Sequence, residues 1–167
     1  MKFNLVDKVE RLSHERIVTV KYVSLAEEYL ADHFPTFPVL PGVMMLESAT
    51  QAAGWLMHHR DGFAKAMAVL KEARNVKYGS FVAPGNALRM EVEFLKTTEA
   101  GASFKATGSV VRASGESAVA VQLRLELACF NLAEKNPELA EIDARLREHH
   151  RRRWELLATP GAQLKVG

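Results

Sequence analysis

A single carboxylate, Glu47, stands inside the apolar run VMMLESATQAAGWLMHH of residues 43–59, where Gln51 is the only other strongly polar side chain before the terminal histidines. An ionised carboxylate without a partner is costly in such surroundings, so Glu47 marks a candidate site. Gln51 follows by four residues, on the same face of a helix, where it can hydrogen-bond the carboxyl group and fix its rotamer. Upstream lies His33, the side-chain type best matched to taking a proton near neutral pH. Pro41-Gly42 opens the helix, so the N–H groups of Gly42 and Val43 lack partners within it and sit at its positive end. That end suits a thioester carbonyl becoming enolate-like. Gly42 also permits close approach of the backbone. Base, acid and electrophilic cradle thus fall between residues 33 and 51.

These residues need a scaffold, and the flanking patterns supply one. Residues 4–11 and the β-branched, alternating 16–23 read as a strand hairpin, and 26–30 as one helical turn. Pro35, Pro38 and Pro41 make 33–42 a stiff, ordered loop. The helix of 43–59 is apolar enough to be buried on nearly all sides, and strands expected at 66–76, 87–98, 103–112 and 118–130 would wrap it. The fold class is therefore α+β, an antiparallel sheet curled around one long helix. After Phe130 the chain becomes highly charged, with Leu139, Ile142, Leu146 and Leu156 at helical spacing. Residues 1–130 are expected to form one domain. Residues 131–167 are expected to form an appended amphipathic helix (137–157) and a tail that frays after Pro160.

Composition narrows the function classes. With 167 residues, 48% of them apolar, the chain can bury one sizeable core. A net charge of +2, without Lys or Arg interleaved with aromatics, gives no reason to expect nucleic acid. Cys129 is the only cysteine, which rules out an intrachain disulfide and multi-cysteine metal sites and fits a reducing cytoplasm. The opening residues lack the apolar core of a signal peptide and no run is long enough to span a membrane, so a soluble cytoplasmic protein is expected. His58-His59 and His149-His150 are adjacent pairs whose rings diverge by about 100° on a helix, and no metal site is expected from them.

The motif His33-Phe34-Pro35-x-x-Pro38-Val39-x-Pro41-Gly42-Val43, followed by Glu47 and Gln51, resembles the signature of the 3-hydroxyacyl-[acyl-carrier-protein] dehydratases of type II fatty acid synthesis. The similarity extends over most of residues 5–130. The resemblance implies the hot-dog fold, dehydration without a cofactor, and a substrate borne on acyl carrier protein. It makes His33 the base at the α-carbon, Glu47 the acid at the departing hydroxyl, Gly42 and Val43 the carbonyl-polarising amides, and Gln51 the residue that orients the carboxylate. A glutamate, where the dehydratase-isomerase branch has aspartate, implies a reaction that stops at the trans-2-enoyl product. The resemblance further implies a homodimer, often a trimer of dimers, with His33 of one protomer facing Glu47 of the other. A basic patch is expected to help dock the acidic carrier, and Arg60, Lys71, Arg74 and Lys77 read equally as that patch or as an ordinary solvated face, whereas Arg151 to Arg153 belong to a helix near neutral in total. Met44, Met45, Leu46, Trp55, Leu56 and Met57 read as core and dimer packing, with Phe63, Met67, Tyr78 and Phe81 as candidate walls of an acyl tunnel.

Two departures carry expectations of their own. Thr36 replaces the glycine usual after His-Phe-Pro, so a left-handed backbone there would be strained. The chain opens MKFNLVDKVE rather than with the family's Pro-His-Arg-Tyr-Pro-type segment, so admission of substrate and control of chain length are expected to differ. The competing functions are a hot-dog thioesterase and a non-catalytic paralogue that binds acyl carrier protein.

Overall fold

The structure, a computed structural model, describes residues 3–34, 36–158 and 163–164. Its elements in chain order are β1 (Lys8–Leu12), β2 (Arg16–Tyr22), α1 (Tyr29–Asp32), α2 (Gly42–Arg60), β3 (Met67–Tyr78), β4 (Ala87–Thr97), β5 (Gly101–Val111) and β6 (Ser117–Phe130). Two short 3₁₀ turns, α3 (Ala140–Leu157) and β7 (Gln163–Leu164) follow. The strands form one sheet in the order β3-β6-β5-β4-β2-β1-β7, antiparallel except where β7 runs parallel to β1. The alternating sequences of β4 and β5 send every second side chain inward, so Leu88, Met90, Val92, Phe104 and Ala106 are buried against α2. This is the α+β hot-dog architecture: a curled antiparallel sheet around a 19-residue helix.

Three expectations are corrected by the packing. The first strand begins at Lys8 rather than at residue 4, because the preceding backbone is spent on the helix. Leu5 N–H donates to Gln51 Oε1 at 2.9 Å, and Ser48 Oγ donates to the Leu5 carbonyl at 3.1 Å. Second, α2 is not covered all round. Met45, Ala49, Ala52, Ala53 and Leu56 are buried, but Val43 is 67% exposed and Glu47, Gln51 and Trp55 are half-buried, leaving one face of the helix open.

Third, α3 does not pack through Ile142 and Leu156, which are exposed; it packs through Asp143, His150, Trp154 and Leu157. The buried Asp143 carboxylate accepts the N–H groups of Leu132 and Ala133 at 2.9 and 2.8 Å, clamping the turn after β6. His150 Nε2 donates to the Ala66 carbonyl at 3.1 Å, and its ring stacks on His58 of α2 at 4.5 Å. Polar residues thus anchor the helix face that leucine spacing alone placed elsewhere. The tail expected to fray after Pro160 lies outside the described residues, apart from Gln163–Leu164, which pair with Arg11 and Leu12 of β1.

Candidate active site

His33 ends α1, held by its own N–H on the Tyr29 carbonyl at 3.1 Å, and its ring lies 4.2 Å from that of Phe34. The turn that follows has a left-handed residue at Phe34 (φ 50°), and the expectation for Thr36 turns on its bond to the residue before it, outside the described residues. Pro35 lies outside the described residues. The loop is then tied down twice: Leu40 N–H donates to the Val82 carbonyl at 2.8 Å, and Phe37 meets Phe81 edge-on at 5.5 Å. Together these segments enclose a 220 Å³ cavity against His33, Gly42, Met45, Tyr78 and Phe81.

Gly42 opens α2 directly after Pro41, whose carbonyl takes the Met44 and Met45 N–H groups. The N–H groups of Gly42 and Val43 precede any carbonyl the helix can offer. The ring of Tyr78 covers Gly42 so closely that a Cβ there would lie 2.9 Å from Tyr78 Cε1 and would push the ring aside. Val43 is exposed.

One turn further on, Glu47 faces a different space. Gln51 Nε2 donates to Glu47 Oε1 at 3.0 Å and to the Phe3 carbonyl at 3.3 Å, while Gln51 Oε1 takes the Leu5 N–H. The amide is held from three sides, and it holds the carboxylate. Glu47 lines a 580 Å³ groove that continues along α2 past Gly54, Trp55 and His58 to α3. Within one chain, therefore, Glu47 and Gln51 come together, His33 and the Gly42 end come together, and the two groups line separate cavities.

The far part of this groove holds a ring cluster that sequence reading missed. Trp55, His58 and Phe63 meet His150 and Trp154 of α3, with centroid separations of 4.5 to 6.3 Å. Burial, reinforced by the neighbouring His150, pushes the His58 imidazole down to about 4, and burial lowers His150 as well. Both rings are neutral near pH 7 and pack as aromatics. The available signal was the 4-3-4 spacing of Glu47, Gln51, Gly54 and His58, which lines one face of the helix.

Comparison with known proteins gives this geometry a family. The sequence model of the FabA-like domain matches residues 1–122. A 3-hydroxyacyl-[acyl-carrier-protein] dehydratase FabZ of Solibacter usitatus is 33% identical over 141 residues, 84% of each chain. The chain belongs to the FabA-like family. A FabZ of Clostridium perfringens is 34% identical over 71% of this FabA-like chain and 88% of its own. Among solved structures, the dehydratase heterocomplex ApeI:P from Xenorhabdus doucetiae superposes with a TM-score of 0.64 at 22% identity, over 83% of this chain and 90% of that one, a likeness of fold.

Three of the four basic residues considered for docking have partners within this FabA-like chain. Lys71 pairs with Glu126 at 2.9 Å, Arg74 with Glu72 at 2.6 Å, and the Arg60 guanidinium lies 3.8 Å over the Phe94 ring. Lys77 stays exposed. Among the described residues no helix is long and apolar enough to cross a membrane.

Proposed function

We propose that this chain dehydrates 3-hydroxyacyl-[acyl-carrier-protein] to the trans-2-enoyl thioester, in sites that each take His33 from one protomer and Glu47 from the other. The observation that carries the two-chain site is the separation of these residues into different cavities of one chain. The open face of α2 gives a second copy a surface to cover. β3, twelve residues long at the free end of the sheet, gives it a strand edge to approach. A homodimer is the minimum assembly, and a trimer of dimers extends it.

In this site the thioester carbonyl accepts the Gly42 and Val43 N–H groups at the positive end of α2 in the protomer that supplies His33, where Gly42 and His33 line one cavity. These groups lower the cost of charge on its oxygen as the α C–H bond breaks. The His33 imidazole takes the α-proton, the electron pair forms the α–β double bond, and the C3–O bond breaks. The Glu47 carboxyl of the other protomer protonates the departing hydroxyl, which leaves as water, and the proton on His33 returns to Glu47 through solvent. Gln51 keeps the carboxyl rotamer fixed through each cycle. The reaction uses no cofactor. Residues 1–130 form the catalytic hot-dog unit, residues 131–167 an appended helix and tail, and the protein works in the cytoplasm.

The test uses mixed protomers. His33→Ala and Glu47→Gln dimers are each expected to be inactive when the enoyl absorbance of a crotonyl or 3-hydroxyacyl thioester is followed. After random reassortment of equal amounts, about a quarter of all sites regain both wild-type residues, because each mixed dimer holds one intact site. Recovery of that fraction fits the shared site. No recovery from correctly assembled mixed dimers overturns it, and release of free acid in place of enoyl thioester would make the protein a thioesterase.

A further inference from the structure

The groove that Glu47 opens does not end among residues of the family domain. Its far wall comes from α3, beyond the residues 1–122 matched by the FabA-like domain, through His149, His150 and Arg153. Its floor is low in the middle, where Gly54 is backed only by the methyl of Ala68; a Cβ on Gly54 would be in ordinary contact with it at 3.6 Å. The two small residues leave a passage between the carboxylate and α3.

The arginines of α3 are otherwise accounted for. Arg145 and Arg152 pair with the glutamates four residues before them, Arg147 Nη1 donates to Asn131 Oδ1 at 3.1 Å, and Arg151 lies over the Phe63 ring. Arg153 has His149 and His150 one turn before it and Leu156 and Leu157 one turn after, so its own helix offers no carboxylate at facing positions. It is half-buried, forms no ion pair among the described residues, and lines the groove. A guanidinium held in a partly desolvated groove without a counter-ion is a ready receptor for an anion.

The polarity of the groove says which anion. On the dehydratase reading, on which this inference rests, the C3 hydroxyl lies at Glu47 and the thioester end at the His33 and Gly42 cavity of the other protomer, so the acyl chain beyond C3 is directed into the groove that leaves Glu47. The remaining acyl chain continues past Gly54 and Trp55, and the eleven residues from Glu47 to His58 span about 16 Å of helix. We infer that Arg153, with His149 beside it, forms a subsite for an anionic group at the distal end of the acyl chain, so that the protein accepts thioesters ending in a carboxylate.

The direct test is calorimetric binding of saturated acyl-pantetheine thioesters, which lack the hydroxyl and do not turn over. They are compared in matched lengths ending in carboxylate or methyl. The wild-type protein is expected to bind the carboxylate-ended chain about tenfold more tightly at the length that reaches α3, and less so as salt rises. Arg153→Gln is expected to bring the ratio near one, and Arg153→Glu to invert it, with circular dichroism confirming that α3 remains folded. Equal affinities for both chains in the wild-type protein overturn the subsite. So does an Arg153-dependent preference for coenzyme A over pantetheine thioesters whatever the chain end, which would assign the guanidinium to the carrier-arm phosphate. The binding ratio is read separately from turnover, so loss of the dehydratase reading would show in the mixed-protomer assay and not here.

Discussion

The two long helices place functional groups against opposite backgrounds. α2 is apolar, and its few polar side chains are conspicuous: Glu47 and Gln51 are hydrogen-bonded to each other and line the groove. α3 is charged throughout, and the side chains that matter in it are hidden in the crowd. Asp143 is as buried as the core valines, His150 and Trp154 stack against α2, and Arg153 is distinguished only by having no ion-pair partner among the described residues. An exception to its surroundings is visible in one dimension, whereas a partnerless group among many like it becomes visible only when every neighbour has been located.

The sharpest way to break the contrast is at its clearest member. Glu47→Gln preserves shape and the Gln51 contact but removes the acid, and is expected to lower kcat about 10³-fold in the enoyl-absorbance assay with stability nearly unchanged. A fall of less than tenfold would mean that the carboxylate is structural. In α3 the corresponding residue is expected to do the reverse. Asp143→Ala strands the N–H groups of Leu132 and Ala133 and removes two charge-assisted bonds, so urea unfolding should show a loss of about 3 kcal/mol, with turnover per folded site unaffected.

A smaller effect tests the junction of the two helices. The His58 imidazole is lowered from 6.5 to about 4, first by burial and then by His150, and His150 shifts in the same direction. In the unfolded chain these groups bind protons near 6.5, so between about 6.5 and 4 the unfolded state holds more protons than the native one. Stability should be fully present above that window and fall as pH drops through it, by roughly 2 kcal/mol between pH 7 and 4.5. His58→Phe should flatten this dependence in urea melts at the two pH values. The smallest effect is expected on the exposed face: Leu156→Lys should change stability by no more than about 0.5 kcal/mol, because the side chain is 70% exposed. A loss of several times that would restore the leucine stripe as the packing face.

Much of the sheet and of the segment from His33 to Gln51 was legible in the sequence for physical reasons. The prolines at 35, 38 and 41 forbid regular structure, the apolar run requires a wrapped helix, and the alternation in β4 and β5 fixes which side chains meet it. The start of β1 was misplaced because the backbone of Leu5 bonds to Gln51 and Ser48, a tertiary contact across more than forty residues that no local pattern encodes. The packing face of α3 was misread because burial there follows from hydrogen bonds and ring stacking by Asp143, His150 and Trp154, residue types that periodicity scores as polar or neutral. The close approach to the backbone that Gly42 was expected to permit is made in the structure by the Tyr78 ring.

The grip of Phe3 and Leu5 on Gln51 has a practical corollary for anyone handling the protein. A purification tag joined directly ahead of residue 1 would hang a few residues from the amide that steadies Glu47. Any damage it did would register as slower turnover in a preparation that melts normally, and would be mistaken for an intrinsically poor enzyme. Cleaving the tag before kinetics, and comparing the rates on either side of the cut, separates the handling artefact from the chemistry.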